Sequence, residues 1–457
     1  MNRNKKHLLA FVFYCLAVCL VLGWILSAYI PTPSGDGMSA DSITTYSLII
    51  ENENVTNWHS SLFMHECIAL KHITYWLTGQ LLSGTAVLFG AWVIMTTMMV
   101  IAIITLGYSL IRSNLWWFIA LPCCIILSFI HVRYLYPIGL DYYFTCILWC
   151  LLAAMVVHFR ASSHTSRIVC TCIIIFFLFH LVSYRKNSIL FIPFVLGWLL
   201  YMTCWFRKIC ITKKLTVWIS VSLIFTLISY SGVDILLPVT KQHPITPMME
   251  SDVRIAAILR GEQDAFRREG ILQSTGSITE DCISAYWIYL PEKSWDKILT
   301  MYINEWKEHP ETMIAASIIQ RIQFYSGGHN LPFLRKWVES RYPVVKKNEN
   351  TWKIITPLYS PQSYVPHLKG LLMMCTAPIS IVLASLLLHR KTIAPEASST
   401  CIIAGSLSFL YAISYLIVTP TSDARYLAPA EMFAILSFAL SAISVTAMLC
   451  RKYTPIL

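Results

Sequence analysis

The stretch PTPSGDGMSADSITTY carries two carboxylates, Asp36 and Asp41, immediately after the first long apolar run of the chain, and His59 follows in the same polar segment. Farther along, RYLYPIGLDYY holds Arg133 and Asp141, SYRKNSILFIP holds Arg185 and Lys186, and PTSDARYLAP holds Asp423 and Arg425. Each stretch borders an apolar run. Carboxylates and imidazoles move protons. Arginine pairs two oxygens of a phosphate at once through its planar fork of donors. At the level of a membrane surface, these residue types suit a phosphate carried on a lipid. If that phosphate carries a sugar, the chemistry is displacement at the anomeric carbon. Arginines then stabilise the charge that develops on the leaving phosphate, and an aspartate takes the proton of the attacking hydroxyl.

Every one of these residues has a plainer use. An arginine at a span end can snorkel toward water. Asp423 and Arg425 can form a structural ion pair. Asp41 opens the helix-like run DSITTYSLII, where an aspartate makes a good N-cap, and His59 can be a surface histidine. The side of the membrane on which the arginines fall weighs against a purely plain reading.

Only 13% of the 457 residues are charged and 56% are hydrophobic, whereas a soluble domain carries about 25% charged residues. The composition therefore predicts an all-α polytopic membrane protein. Apolar runs close to the bilayer-spanning length of about 20 residues fall near 8–30, 81–109, 115–131, 142–159, 168–184, 189–206, 215–237, 368–388, 400–419 and 429–450. The first run continues to Ile30 without a small-residue cleavage site, so it is expected to remain as a span. With the N-terminus inside, Arg3, Lys5, Lys6, Arg112, Arg160, Arg167, Arg207, Lys208, Lys213, Lys214, Arg390, Lys391, Arg451 and Lys452 all become cytoplasmic. About ten transmembrane helices with both termini cytoplasmic satisfy the positive-inside rule. The net charge of +11 then reads as a topology signal, and no nucleic-acid partner is implied. Arg133, Arg185, Lys186 and Arg425 break the rule and fall outside, level with Asp36, Asp41, His59, Asp141 and Asp423. Ionisable groups at membrane depth point to function.

Two longer segments also fall outside, dividing the chain into an N-terminal transmembrane module (1–237) with its first outer loop (31–80), an extracytoplasmic segment (238–367) and a C-terminal three-span module (368–457). In the second segment, SWDKILTMYINEW places Trp295, Ile298, Leu299, Tyr302 and Trp306 on one helical face. Pro310 suits the first turn of the next helix, so a mostly helical domain or cap is expected. Trp287, Tyr289, Trp295 and Tyr325 could pack its core or stack on sugar rings. Most of the 15 cysteines lie in apolar runs and act as small hydrophobes. Cys67 and Cys282 stand in extramembrane segments, and spacing alone does not decide whether they pair. No zinc-type spacing and no Gly-rich phosphate loop occurs, which disfavours a nucleotide-powered pump.

Four stretches resemble the GT-C superfamily of integral-membrane glycosyltransferases, in particular bacterial members that decorate O-antigen or other surface glycans. They are the acid-bearing GDGMSADSITTYSLIIENENVTNWHSSLF, then RYLYPIGLDYY, YRKNSILFIP and DARYLAPAEM. The sequence departs from the family pattern where His59-Ser60 replaces an HP pair, where Lys186 stands inside an RxN signature, and where the paired acids are not adjacent. The resemblance implies a GT-C-like fold with amphipathic helices in the first outer loop. It also implies inverting transfer from a polyprenyl-phosphate-sugar donor to a glycan or lipid-linked acceptor such as O-antigen. The site would be extracytoplasmic, on a bacterial cytoplasmic (inner) membrane. In that reading Asp41 is the base, Asp36 its alternate, and His59 bonds the base or the acceptor. Arg133, Arg185 and Arg425 hold the donor phosphate with Asn187 and Tyr426 beside them, and Asp141 is structural or orients an arginine. Some members bind a divalent cation near the acid, although no cluster here demands a metal. Two other readings stay open: an O-antigen polymerase or ligase, and a lipid-linked saccharide transporter without chemistry.

Overall fold

The computed structural model describes residues 3–27, 30–39, 42–55, 60–132, 139–202, 211–229, 233–237, 239, 246–262, 292–325, 332–344, 370–389, 395–417 and 427–453. All regular elements among them are helical. The chain forms two compact units, one of Met1–Thr240, Leu372–Ser414 and Leu427–Leu457, the other of Lys241–Leu371 and Tyr415–Tyr426.

The first unit contains α1 (Arg3–Leu26), α2 (Ser47–Asn52), α3 (Ser61–Thr78), α4 (Gly84–Ser113), α5 (Trp117–Val132), α6 (Leu140–Arg160), α7 (His164–Tyr184), α8 (Phe191–Met202), α9 (Ile211–Leu227) and the single turn α10 (Val233–Leu236). Among the described residues, six helices are long and apolar enough to cross a membrane: Lys5–Leu26, Gly84–Ser113, Leu140–Arg160, His164–Tyr184, Glu396–Tyr415 and Ala428–Thr446. Shorter helices overlap the other expected spans. Within the run expected to cross at 215–237, the α-helical elements described are α9, which ends at Leu227, and the turn α10.

Serine side chains open three of these helices. Ser60 accepts from Phe63 N (3.2 Å), Ser83 from Ala86 N (3.3 Å) and Ser163 from Ser166 N (3.1 Å), each satisfying an otherwise orphan donor. Helix α6 is central, with 83% of its span-length window buried, against 22% for α7 and 28% for α1. It lies between α4 and α7, and α5 packs on α17 (Ala428–Tyr453). The fully buried Trp149 of α6 stacks on Phe129 and meets Phe433. Where α1 crosses α4, a Cβ on Gly107 would stand 2.0 Å from Tyr14 Cε1, and the Tyr14 hydroxyl donates to Ile103 O at 2.8 Å.

These contacts define two ends of the bundle. At one end Arg160 donates to Ser109 O (2.7 Å) and pairs with Glu396 (3.5 Å), joining the C-termini of α4 and α6 to the N-terminus of α16 (Pro395–Ile417). Arg167, which donates to Ala161 O at 2.8 Å, lies at the same end. The opposite end gathers the N-termini of α4 and α6, the C-terminus of α7, and the segment between α1 and α4. There the N-terminal glycine of α4 meets the first residue of α2, since a Cβ on Gly84 would stand 2.2 Å from Ser47 O. Glu51 accepts from Gly84 N at 2.8 Å. Lys71 of α3 reaches Ile50 O (3.1 Å), Glu51 O (3.3 Å) and Glu53 (2.8 Å), placing a cation on the carbonyl end of α2. The Lys71 bond, with His72 beside it, holds the Glu53 carboxyl below the usual range.

In the second unit, α11 (Thr246–Arg260), α12 (Glu292–Glu308), α13 (Pro310–Tyr325) and α14 (Pro332–Arg341) enclose a core of Ile255, Ile258, Met313, Ile319 and Val338. Pro310 is the first residue of α13. Met301 and Tyr302 of α12 pack on that core, and the Trp306 ring lies 6.4 Å from that of Tyr302. Arg260 ties the helices together through Glu262, Glu305 and Thr312.

Candidate functional site

Helix α7 ends in Tyr184-Arg185-Lys186, and a 3-10 turn over Lys186–Leu190 leads into α8. Ser188 closes that turn by donating to Leu181 O (2.9 Å) and Arg185 O (2.6 Å). The turn points two neighbouring cations at two different acids. Arg185 pairs with Asp141 in the first turn of α6. Lys186 pairs with Asp234 of α10 at 3.0 Å, and the other oxygen of Asp234 accepts from Ser61 at 2.6 Å. Asn187 sits half-buried in the same turn.

Helix α3 meets the end of α7 directly. Ser60 donates to Ser183 O at 3.1 Å. Glu66 holds His180 through one oxygen at 2.8 Å and accepts from the Tyr184 hydroxyl through the other. The second ring nitrogen of His180 lies 2.8 Å from Phe176 O. Phe63 fills the space below, against Tyr143 and Tyr184. Residues 60–66, 141, 180–187 and 234 thus converge at one end of the bundle, opposite Arg160 and Arg167. The side chains there are only partly exposed, at 20% for Arg185 and 16% for Asp141. Charge–charge contacts at such a place are stronger than on an open surface.

Of the residues singled out from sequence, Arg185, Asn187 and Asp141 lie in this cluster. Asp36 is exposed and occupied by its own loop. Its carboxylate accepts from Thr32 and Ser34, both at 3.1 Å, between Gly35 (φ 105°) and Gly37 (φ 78°). Asp41, His59, Arg133, Asp423, Arg425 and Tyr426 lie outside the described residues, as does Cys282. Cys67 is buried in α3 with a free thiol. Before SITTY, Ser39 Oγ accepts from Ser42 N at 3.2 Å and the Ser39 carbonyl accepts from Ile43 N at 3.1 Å.

Sequence reading missed Glu66, His180, Asp234, Ser60 and Ser61. Their signal was weak. His180 interrupts the apolar FFLFHLVSY, Glu66 lies within LFMHECIAL, and Asp234 is the single acid of SGVDILLP. Among the described residues no cluster of three or more His, Cys, Asp or Glu could hold a metal ion. No protein-family model, no curated protein and no solved structure matches the chain.

Proposed function

We propose that this chain is a GT-C-type glycosyltransferase. It transfers a sugar from a polyprenyl-phosphate-linked donor to a glycan or lipid-linked acceptor at the outer face of a bacterial cytoplasmic membrane, which it crosses ten times with both termini inside. The observation that carries this reading is the convergence of ion pairs from four sequence-distant segments at the bundle end opposite the basic one. Arg185 faces the donor phosphate with its guanidinium oriented by Asp141, and Arg133 and Arg425 complete the set. The acceptor hydroxyl oxygen forms the new bond to the anomeric carbon. The bond from that carbon to the phosphate oxygen breaks, the electron pair leaves on the phosphate, and the hydroxyl proton passes to Asp41. Guanidinium donors fit this task because charge grows on the phosphate as the bond opens.

One observation favours Asp41 over Asp36 as the base. Asp36 spends its carboxylate on Thr32 and Ser34. The test is Asp41→Asn in cells making the modified glycan. Turnover is expected to vanish while the protein still accumulates in the membrane and binds the lipid-linked donor. Glycan persisting at wild-type levels would remove Asp41 from the mechanism.

A further inference from the structure

A helix on the surface of a protein in water has one apolar stripe, and it faces the core. Helix α3 has two. Phe63, Met64, Cys67 and Ile68 are buried against the protein. A second stripe of Ala69, Ile73, Trp76 and Leu77 is exposed, with Trp76 81% and Leu77 67% accessible. Leu81, in the turn that follows, is 66% exposed. Single exposed apolar residues need no explanation, but a contiguous stripe does.

The depth of α3 identifies what covers it. Leu70 packs at Gly90 of α4, where a Cβ would stand 3.5 Å from Leu70 Cδ2. Gly90 lies six residues into α4, about 9 Å along its axis. Helix α3 therefore lies alongside the first turns of a span-length helix. Val93 and Ile94 of α4 are exposed as well, on a helix long and apolar enough to cross a bilayer. Tyr75 and Trp76 are the residue types that concentrate at the membrane–water boundary. The polar edge of α3, His72 with Glu53 at 3.1 Å, is exposed beside them.

We propose that the Ile73, Trp76, Leu77 and Leu81 face of α3 is seated in bilayer lipid, making α3 an interfacial helix at the bundle end that carries the ion pairs. The opposite end of the same helix delivers Ser60, Ser61 and Glu66 to those pairs. Lipid contact at Trp76 thus sets the cluster at headgroup level, where a ligand on a lipid tail arrives laterally through the bilayer. The placement holds whatever reaction the cluster performs.

The test places a photoreactive benzophenone side chain at position 73, 76, 72 or 94 of the full chain in native membranes. After irradiation, the adducts are identified by mass spectrometry. Phospholipid adducts are expected at 73 and 76, as at the α4 position 94, with loss of the lipid adduct at 72. Positions 73 and 76 are exposed, so either serves if the other variant fails to accumulate. Lipid adducts at 94 without any at 73 and 76 would overturn the proposal. So would adducts at 73 and 76 to a second copy of the chain, or the absence of lipid adducts at all four positions.

Discussion

Removing one partner of the Arg185–Asp141 pair tests the candidate site at its best-defined contact. The pair joins the start of α6 to the end of α7, with 20% and 16% of the two side chains exposed. At an effective dielectric near 20, a close ion pair gains about 4 kcal/mol in gross attraction, and removing water from both groups takes back much of it. Breaking a buried pair costs about 3–5 kcal/mol, and an exposed pair contributes about 0–1 kcal/mol. With roughly a fifth of each side chain still wet, Asp141→Asn and Arg185→Gln are each expected to destabilise by about 2 kcal/mol. The double variant is expected to fall short of the sum by about 1–2 kcal/mol. The assay is a double-mutant cycle on unfolding in mixed micelles, followed by far-UV circular dichroism. Asp141→Asn should also slow glycan modification by about 30-fold if the 2 kcal/mol is spent on positioning the guanidinium. A coupling below about 0.3 kcal/mol would show that the two side chains act independently and would refute the pair as the element that orients Arg185.

Three further outcomes follow from other parts of the molecule. Gly107→Ala is expected to cost at least about 1–3 kcal/mol, because the new Cβ would stand 2.0 Å from Tyr14. Tyr14→Ala in the same chain should recover part of that loss, read by thermal unfolding in detergent. In the second unit, Asp252 is fully buried and accepts from Ser317 at 3.0 Å, and burial lifts its carboxyl from 3.8 to about 6. Since the folded state holds the proton more tightly than the unfolded one, stability is greatest below about pH 4 and declines as pH rises to about 6, by about 3 kcal/mol. Hydrogen exchange of peptides from 246–325 should report this decline, and Asp252→Asn should remove it. Lys71→Met is expected to loosen the end of α2 by about 1 kcal/mol, seen as faster exchange at 47–55.

Much of the helical plan is legible in the sequence because it rests on local signals. Apolar runs of spanning length mark the long helices, serines stand at helix starts, and Pro310 opens α13. Arg160 and Arg167 stand at the bundle end opposite Arg185. What could not be read is pairing. Ser61 and Asp234 are 173 residues apart, and Glu66 and His180 are 114 apart. No local pattern links such residues, and both acids sit in stretches dominated by apolar neighbours.

Mass spectrometry of surface glycan from cells with and without this protein tests the central claim most directly. With the protein present, the glycan is expected to carry an added mass of one sugar residue that disappears on deletion and returns on complementation. Identical glycan masses in all three strains would contradict sugar transfer.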